Sequence, residues 1–121
     1  MDNHNKLGIQ GENTACNFLI CNGYRIVRRN WRHGRIEIDI IAQKDEYIIF
    51  VEVKTRFSDR WGNTEDAVTN AKMKRIVEAA DFYIRDNDIA MDARFDIIAA
   101  VWNGSGFEID HIEDAFYAPV N

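Results

Sequence analysis

Cysteine, proline and long apolar segments are scarce in this sequence. It has two cysteines and one proline among 121 residues, and no apolar run approaches the ~20 residues that a membrane-spanning helix needs. Cys16 and Cys21 lie on different faces of a predicted helix, so we expect no disulfide between them, and no CxxC pair indicates a metal or redox motif. The polar start MDNHNK is unlike a signal peptide. We therefore expect a cytoplasmic protein with no membrane partner.

The composition is that of one globular domain spanning residues 1–121. Hydrophobic residues make up 46% and aromatic residues 12% of the chain, which argues against disorder. A chain of this length buries roughly two thirds of the surface that its unfolded state exposes, which is sufficient for a core without disulfides. No repeat, low-complexity stretch or linker divides it.

The net charge of −5 conceals an uneven distribution. Residues 1–60 carry 10 basic and 8 acidic side chains, whereas residues 61–121 carry 5 and 12. Acidic residues are concentrated between Asp86 and Asp114. A negative net charge normally counts against a nucleic-acid partner, but the first half contains a basic run of a kind that can follow a phosphate backbone. This run consists of Arg25, Arg28, Arg29, Arg32, His33 and Arg35.

Hydrophobic periodicity predicts the element order α-β-β-β-α-β-β and an α/β domain with helices packed on a mixed sheet. The third strand is an almost continuous apolar run and is expected in the centre of the sheet. The first has arginines on both faces and is expected at an edge. The predicted helices span residues 6–22 and 64–85, with Asn63 or Thr64 capping the second. The predicted strands span residues 24–31, 35–43, 47–55, 94–102 and 107–112, and residues 56–63 are predicted to form a loop.

Charged residues interrupt the apolar pattern of the second and third strands. Side chains two positions apart share a strand face, so Glu52 lies with Lys54, and Glu37 with Asp39. A hairpin joins the two strands and brings both pairs to one region. Any one of these residues alone is explained by an ordinary ion pair, in which Lys54 neutralises a carboxylate. Three carboxylates buried together are costly without a cation, and hard carboxylate oxygens suit Mg²⁺ or Mn²⁺.

The spacing of Asp39 from Glu52-Val53-Lys54 resembles the PD-(D/E)xK signature of restriction-endonuclease-like nucleases. The resemblance is closer to one branch, the YraN-like uncharacterised protein family, which is similar to archaeal Holliday junction resolvases. It covers about residues 6–102. The Asp…ExK pattern alone is frequent, but the ordered set of segments is specific. These segments are Gly11-Glu12 with Ala15, Arg29-Asn30-Trp31-Arg32, Glu37-Ile38-Asp39-Ile40-Ile41-Ala42, Phe50-Val51-Glu52-Val53-Lys54-Thr55-Arg56, Ala67-Val68 with Lys72 and Arg75-Ile76, and Arg94-Phe95-Asp96.

The resemblance implies a restriction-endonuclease-like three-layer α/β/α core with a mixed five-stranded sheet. The sequence departs from the family pattern in two places. Ile36 stands where the family usually has glycine, directly before the segment that contains Glu37 and Asp39, and this affects strand packing more than the metal site. The acidic segment after residue 103 carries no family signal.

The resemblance also assigns a role to each residue of the signature. Asp39 and Glu52, helped by the backbone carbonyl of Val53, would hold Mg²⁺ or Mn²⁺. The metal would bind the scissile phosphate and lower the pKa of the attacking water. Lys54 would orient that water or stabilise the negative charge that develops on the phosphate.

Three further residues each allow two interpretations. Glu12 would complete the acidic cluster or bind a second cation, the alternative being an exposed helix carboxylate. Glu37 is either a further metal ligand or lies just outside the metal shell. Trp31 either packs in the core or stacks on a base. Asp96 is predicted to pair with a neighbouring arginine, and the three histidines have no spacing that indicates a site.

The predicted nucleic-acid contacts are basic side chains from the basic run at the first strand, from the loop after the third strand and from the second helix: Arg29, Arg32, Arg56, Lys72 and Arg75. Lys72 and Arg75 share a helix face and would reach either DNA phosphate or the active site, while a solvated helix face is an equal alternative. The segment at residues 57–62, which follows the signature directly, is a predicted substrate clamp.

Three functions of different classes follow from these features. The first is a metal-dependent nuclease acting on DNA rather than RNA, on branched or damaged substrates, with a homodimer expected if two strands are cut. The second is a nucleic-acid-binding module of the same fold without significant catalysis. The third is a domain that binds a protein partner through its acidic end, which the net charge favours. The intact set of Asp39, Glu52 and Lys54 favours the first.

Overall fold

The computed structural model describes residues 3–57 and 69–117. In these ranges two helices and five strands follow one another in the predicted order α-β-β-β-α-β-β. Neither helix is long and apolar enough to cross a membrane. The elements are α1 (Asn3–Cys21), β1 (Arg25–His33), β2 (Ile36–Lys44), β3 (Tyr47–Phe57), α2 (Asn70–Asp86), β4 (Asp92–Trp102) and β5 (Phe107–Phe116).

The five strands form one sheet in the order β1-β2-β3-β4-β5. Neighbouring strands are antiparallel except for β3 and β4, which are parallel. A parallel pair needs a crossover connection, and α2 lies in that connection. The predictions of a mixed sheet, of a central third strand and of a first strand at the edge are confirmed.

Each face of the sheet is covered by one helix. The alternation of β3 explains this, because its buried side chains divide between two cores. The α1-side core contains Ala15, Cys16, Leu19, Tyr24, Ile40, Ala42, Ile49, Val51 and Ile98. The α2-side core contains Ile38, Ile41, Ile48, Phe50, Ile76, Ala79, Ala80, Tyr83, Phe95, Ile97 and Phe116. Both cysteines are free, as predicted; Cys16 lies in the α1-side core and Cys21 on the surface.

The second helix begins later than its predicted start near Thr64. Thr69 is its N-cap, and the Thr69 hydroxyl accepts a hydrogen bond of 3.2 Å from the Lys72 backbone N–H. This side-chain acceptor satisfies a free donor at the helix start, so Thr69 caps the helix. The predicted caps, Asn63 and Thr64, lie outside the described residues. Residues 58–62 of the predicted clamp, with Arg60 and Trp61, lie outside the described residues.

Four strands are longer than predicted, β1 by one residue and three others by two or more. β3 ends at Phe57, β4 begins at Asp92 and β5 ends at Phe116. The end of β5 is held by its last side chain, because the Phe116 ring stacks on Phe95 with centroids 5.2 Å apart. Because acidic residues precede Phe116, the sequence pattern did not indicate that β5 extends to it.

A close approach of α1 to β3 and β4 depends on Gly11. A Cβ atom at this position would lie 3.1 Å from Thr55 Cγ2 and 3.3 Å from Ala100 Cβ, and closer still to Thr55 Oγ1. We expect Gly11→Ala to lower the free energy of unfolding by about 1–3 kcal/mol through overpacking. Gly8→Ala on the same helix meets nothing within 4 Å and should raise it by about 0.5–1 kcal/mol. Urea denaturation measures both, and equal changes would contradict the close contact.

Candidate functional site

The site forms where β2 separates from β3. Their paired register runs from Lys44 opposite Tyr47 to Ile40 opposite Val51 and ends there. One residue further, Asp39 Oδ2 accepts a hydrogen bond of 2.8 Å from the Val53 backbone N–H. The Asp39 carboxylate thus takes the place of a backbone acceptor at the point of separation.

The strict alternation of side chains breaks at the same point. Ile38 lies in the α2-side core and Ile40 in the α1-side core, although residues two apart in a regular strand share a face. On β1, Asn30 stands between the partners of Ile38 and Ile40 and has φ 52°, a left-handed conformation that asparagine adopts at lower cost than most residues. The predicted alternation of β2 therefore holds on either side of Asp39 but not through it.

Asp39 and Glu52 form a buried carboxylate pair in which one oxygen atom has no partner among the described residues. The Glu52 side chain is 7% exposed, and its Oε2 atom is buried without a hydrogen-bond partner among the described residues. Burial, and then the neighbouring Glu52 charge, raise the pKa of Asp39 to about 8 against the opposing Val53 hydrogen bond. Two neighbouring buried carboxylates repel each other when both are charged, so a proton on Asp39 or a further cation beside the pair stabilises it.

Two lysines approach the other oxygen of Glu52. Lys72 Nζ, from α2, lies 3.1 Å from Glu52 Oε1, and Lys54 Nζ lies 4.0 Å from the same atom. Burial, and then the adjacent Lys72, lower the pKa of Lys54. Burial opposes a rise in the pKa of Lys72, but the Glu52 carboxylate raises it overall. Asp39, Glu52 and Lys54 thus lie in one region as predicted, and Lys72 lies beside them, which is one of the positions predicted for it.

The two other predicted acidic ligands are held by arginines. Arg29 lies 3.0 Å from Glu12, and Arg32 lies 3.5 Å from Glu37. Within residues 6–57 and 69–117, no three acidic, histidine or cysteine side chains converge to hold a metal ion together. Glu12 is nevertheless close enough to Asp39 to contribute to its raised pKa. Metal ligation by Glu12 and Glu37 stays a prediction, and the geometry assembles only the Asp39–Glu52 pair.

Two cavities open onto Asp39 from opposite faces of the sheet, and Asp39 and Val53 line both. The α1-side cavity, of about 500 Å³, is lined by Gly8, Ile9, Glu12, Arg29, Asn30, Asp39, Val53 and Thr55. The α2-side cavity, of about 520 Å³, is lined by Arg32, Arg35, Ile36, Glu37, Asp39, Glu52, Val53, Lys72 and Arg75. The cationic side chains are therefore concentrated on the α2 side.

Comparison with known proteins identifies the family. The model of the uncharacterised protein family UPF0102 matches residues 11–100, which include every residue of the two cavities except Gly8 and Ile9. The chain belongs to this family. UPF0102 proteins of Phocaeicola vulgatus and Parabacteroides distasonis are 46% and 47% identical to it, covering 99% and 98% of each chain. One from Prosthecochloris aestuarii is 44% identical over 93% of this chain and 94% of its own. The resemblance to the YraN-like family is confirmed at this level.

A second buried carboxylate in this UPF0102 chain has a different character. Asp96 is fully buried, and it accepts hydrogen bonds from Arg94 at 2.8 Å and from the Asp114 backbone N–H at 3.0 Å. His111 Nε2 lies 2.8 Å from the same carboxylate. Although burial opposes it, hydrogen bonds from His111 and Arg94 lower the pKa of Asp96. The prediction of an arginine partner is confirmed, and the full set of partners marks Asp96 as structural, in contrast to Glu52.

The other residues predicted to contact nucleic acid lie at different places in the fold. Arg29 also donates to the Asn13 side chain at 2.8 Å, so α1 holds it in place. Arg56 is half-buried on β3, opposite Val101. Trp31 packs against the α2-side core with its ring edge-to-face to Tyr83 at 5.1 Å, which matches its reading as a core residue.

Two features of the site escaped sequence reasoning. The contact of Lys72 with Glu52 joins residues 20 positions apart on separate elements, and no local pattern encodes such a distance. Arg35 belongs to the basic run, but its place in the α2-side cavity depends on the position of α2 relative to the β1–β2 hairpin. The spacing of Lys72 and Arg75 on one helix face was the available signal for the first feature, and the basic run was the available signal for the second.

Proposed function

We propose that this UPF0102 protein is a metal-dependent nuclease that hydrolyses DNA phosphodiester bonds, on branched or damaged DNA. The observation that carries the proposal is the buried Asp39–Glu52 pair, in which Glu52 Oε2 has no hydrogen-bond partner in the described part of the chain. A buried acceptor without a donor is costly in a purely structural role. A bound divalent cation removes that cost.

The donor set suits Mg²⁺ or Mn²⁺. Both are oxygen-seeking cations, and Mg²⁺ is commonly held by one or two carboxylates together with water and substrate phosphate. Asp39 and Glu52 would supply the carboxylates, and the Val53 backbone carbonyl a further oxygen. When bound, the ion supplies Lewis-acid polarisation of the phosphate and a lowered pKa of the attacking water.

Lys54 is the third member of the proposed catalytic set. Its ammonium lies 4.0 Å from Glu52 Oε1 with a side chain 22% exposed, so it is partly shielded from water beside the place where phosphate charge would develop. A positive group fixed in such a position stabilises the transition state more than the ground state. The lysine therefore orients the attacking water or neutralises the added charge.

The α2-side cavity provides the proposed binding surface for the nucleic acid. Three arginines and a lysine line it beside the carboxylate pair: Arg32, Arg35, Lys72 and Arg75. Side chains of this kind bind backbone phosphates without reading sequence. We propose DNA rather than RNA as the substrate because of the resemblance to the resolvases. Arg29 and Arg56 stay predicted contacts at the periphery.

The restriction-endonuclease-like fold belongs to the same proposal. The features that support it are a mixed sheet between two helices and an aspartate where β2 leaves β3. A third supporting feature is the Glu52-Val53-Lys54 segment on the adjacent central strand. A homodimer that cuts two strands at once is an additional part of the prediction.

One observation favours a second candidate, a nucleic-acid-binding module without significant catalysis. Lys72 already neutralises Glu52 Oε1 at 3.1 Å, and an internal cation of this kind can replace a metal in a site that only binds phosphate. The two candidates share the α2-side cavity as a phosphate-binding surface and differ in whether a divalent cation joins the pair.

A cleavage panel decides between the candidates. Single-stranded, duplex, flapped and four-way DNA are incubated with purified protein in Mn²⁺ and in EDTA, and binding is followed by fluorescence anisotropy over a range of salt. Cleavage of at least one substrate in Mn²⁺ alone is expected. Salt-dependent binding without cleavage of any substrate would favour the binding module, and the absence of binding would contradict both.

A further inference from the structure

Lys72 contacts one of the two carboxylate oxygens of Glu52, and the other oxygen has no hydrogen-bond partner among the described residues. Its Nζ atom lies 3.1 Å from Glu52 Oε1, within hydrogen-bond distance, and its side chain is 37% exposed. Lys54 approaches the same oxygen at 4.0 Å. The Asp39–Glu52 pair therefore already has one close cation, supplied by α2, before any metal ion binds.

A lysine ammonium and a divalent cation compete for the same carboxylate. Both are attracted by the negative charge of Glu52, and two cations around one oxygen repel each other. Lys72 on Glu52 Oε1 thus lowers the affinity of the pair for a metal ion. The penalty disappears when the ammonium moves to another anion.

The α2-side cavity is where that other anion would bind. Lys72 lines it together with Arg35 and Arg75, and neither arginine has an ion-pair partner among the described residues, whereas Arg32 is paired with Glu37. A backbone phosphate in the cavity would meet these free guanidinium groups and the partly exposed end of Lys72. The lysine side chain is long and flexible, so a small rotation transfers its charge from carboxylate to phosphate.

We infer that Lys72 couples metal binding to nucleic-acid binding, since it occupies Glu52 Oε1 in the free protein and transfers to a substrate phosphate in the α2-side cavity. This inference rests on the proposed function. Each ligand then raises the affinity of the other by the same factor, because thermodynamic linkage is reciprocal. Lys72 is a positioning residue in this scheme, and it keeps the metal site weak until nucleic acid is present.

The test measures Mn²⁺ affinity by titration calorimetry, without and with saturating short single-stranded DNA whose phosphorothioate backbone resists hydrolysis. In the wild type, DNA should raise Mn²⁺ affinity by about fivefold or more. Lys72→Met, which keeps the length of the side chain without the charge, should bind Mn²⁺ more tightly without DNA and lose most of the enhancement by DNA. Lys72→Arg should behave as the wild type, because it keeps the charge.

Lys74→Met is the matched control, since Lys74 is an exposed lysine on the same helix and does not line the α2-side cavity. It should leave both the Mn²⁺ affinity and the effect of DNA unchanged. If Lys72→Met binds Mn²⁺ as weakly as the wild type and shows the same enhancement by DNA, the coupling is overturned while the nuclease proposal stands. If no protein binds Mn²⁺ under either condition, the proposed function and the coupling both fail.

Discussion

Lys54→Ala should slow Mn²⁺-dependent DNA cleavage by about two to three orders of magnitude in single-turnover experiments at saturating DNA. The reason is that Lys54 lies beside the Asp39–Glu52 pair, where negative charge develops only during attack on the phosphate. DNA affinity in EDTA should change by only a few-fold, because the phosphate contacts of the ground state come from the α2-side cavity. Rate and affinity therefore separate in this variant.

The control for this prediction is Lys74→Ala, which removes an exposed lysine from α2 and should cut as fast as the wild type. Both variants are purified in parallel with the wild type, because a trace of host nuclease can imitate weak activity. If Lys54→Ala cuts at the wild-type rate, the cleavage does not come from this site. If DNA affinity falls as much as the rate, Lys54 is a phosphate contact and not a transition-state group.

The element order was predictable because local chemistry determines it. Leu19 and Ala15 follow helical spacing, the apolar run of β3 requires burial on both faces, and the Lys44–Tyr47 hairpin has a polar turn. The start of α2 was not predictable, since several residues before Thr69 are equally good caps in the sequence. The end of β5 depends on the stacking of Phe116 on Phe95, which is a tertiary contact.

The candidate site was predictable in part for the same reason. Strand parity on β3 correctly brings Glu52 and Lys54 together, because β3 is regular there. Parity fails at Asp39, where the pairing of β2 with β3 ends and the carboxylate accepts a hydrogen bond from the Val53 backbone N–H. The arginine partners of Glu12 and Glu37 depend on the packing of α1 and on the register of β1 with β2. These are distances across the fold that spacing along the chain does not encode.

Asp39→Asn should remove a loss of stability with rising pH that the wild type has in the absence of metal. Burial and the Glu52 charge raise the pKa of Asp39 from 3.8 to about 8, so the folded state prefers the protonated carboxyl. This contribution to stability is fully present below the unfolded-state pKa and is lost as the pH rises toward 8. Asparagine has no proton to lose, so the variant should gain on the wild type with rising pH, by about 2 kcal/mol or more across this range.

Mn²⁺ should raise the free energy of unfolding of the wild type and leave that of Asp39→Asn unchanged. Deprotonated Asp39 and Glu52 would hold the ion together, so at an Mn²⁺ concentration about 100 times the dissociation constant the wild type gains about 2.7 kcal/mol. Asp39→Asn loses one of the two carboxylates and should show no such gain. Urea denaturation near pH 5 and near pH 8, each in EDTA and in Mn²⁺, measures both effects. The protons released by the wild type on binding Mn²⁺ near pH 7 give an independent check by calorimetry in two buffers.

Asp81→Asn is the matched control, because Asp81 is an exposed carboxylate whose partner is Arg85 on the same helix, 3.0 Å away. Its removal changes a surface ion pair worth about 0.5 kcal/mol and should leave the pH profile and the Mn²⁺ response of the wild type intact. Parallel pH profiles for the wild type and Asp39→Asn would mean that Asp39 is ionised in the folded protein at neutral pH. An equal Mn²⁺ gain in both would place the ion elsewhere, since a site built on the Asp39–Glu52 pair cannot bind it with the same affinity after losing one of its two carboxylates.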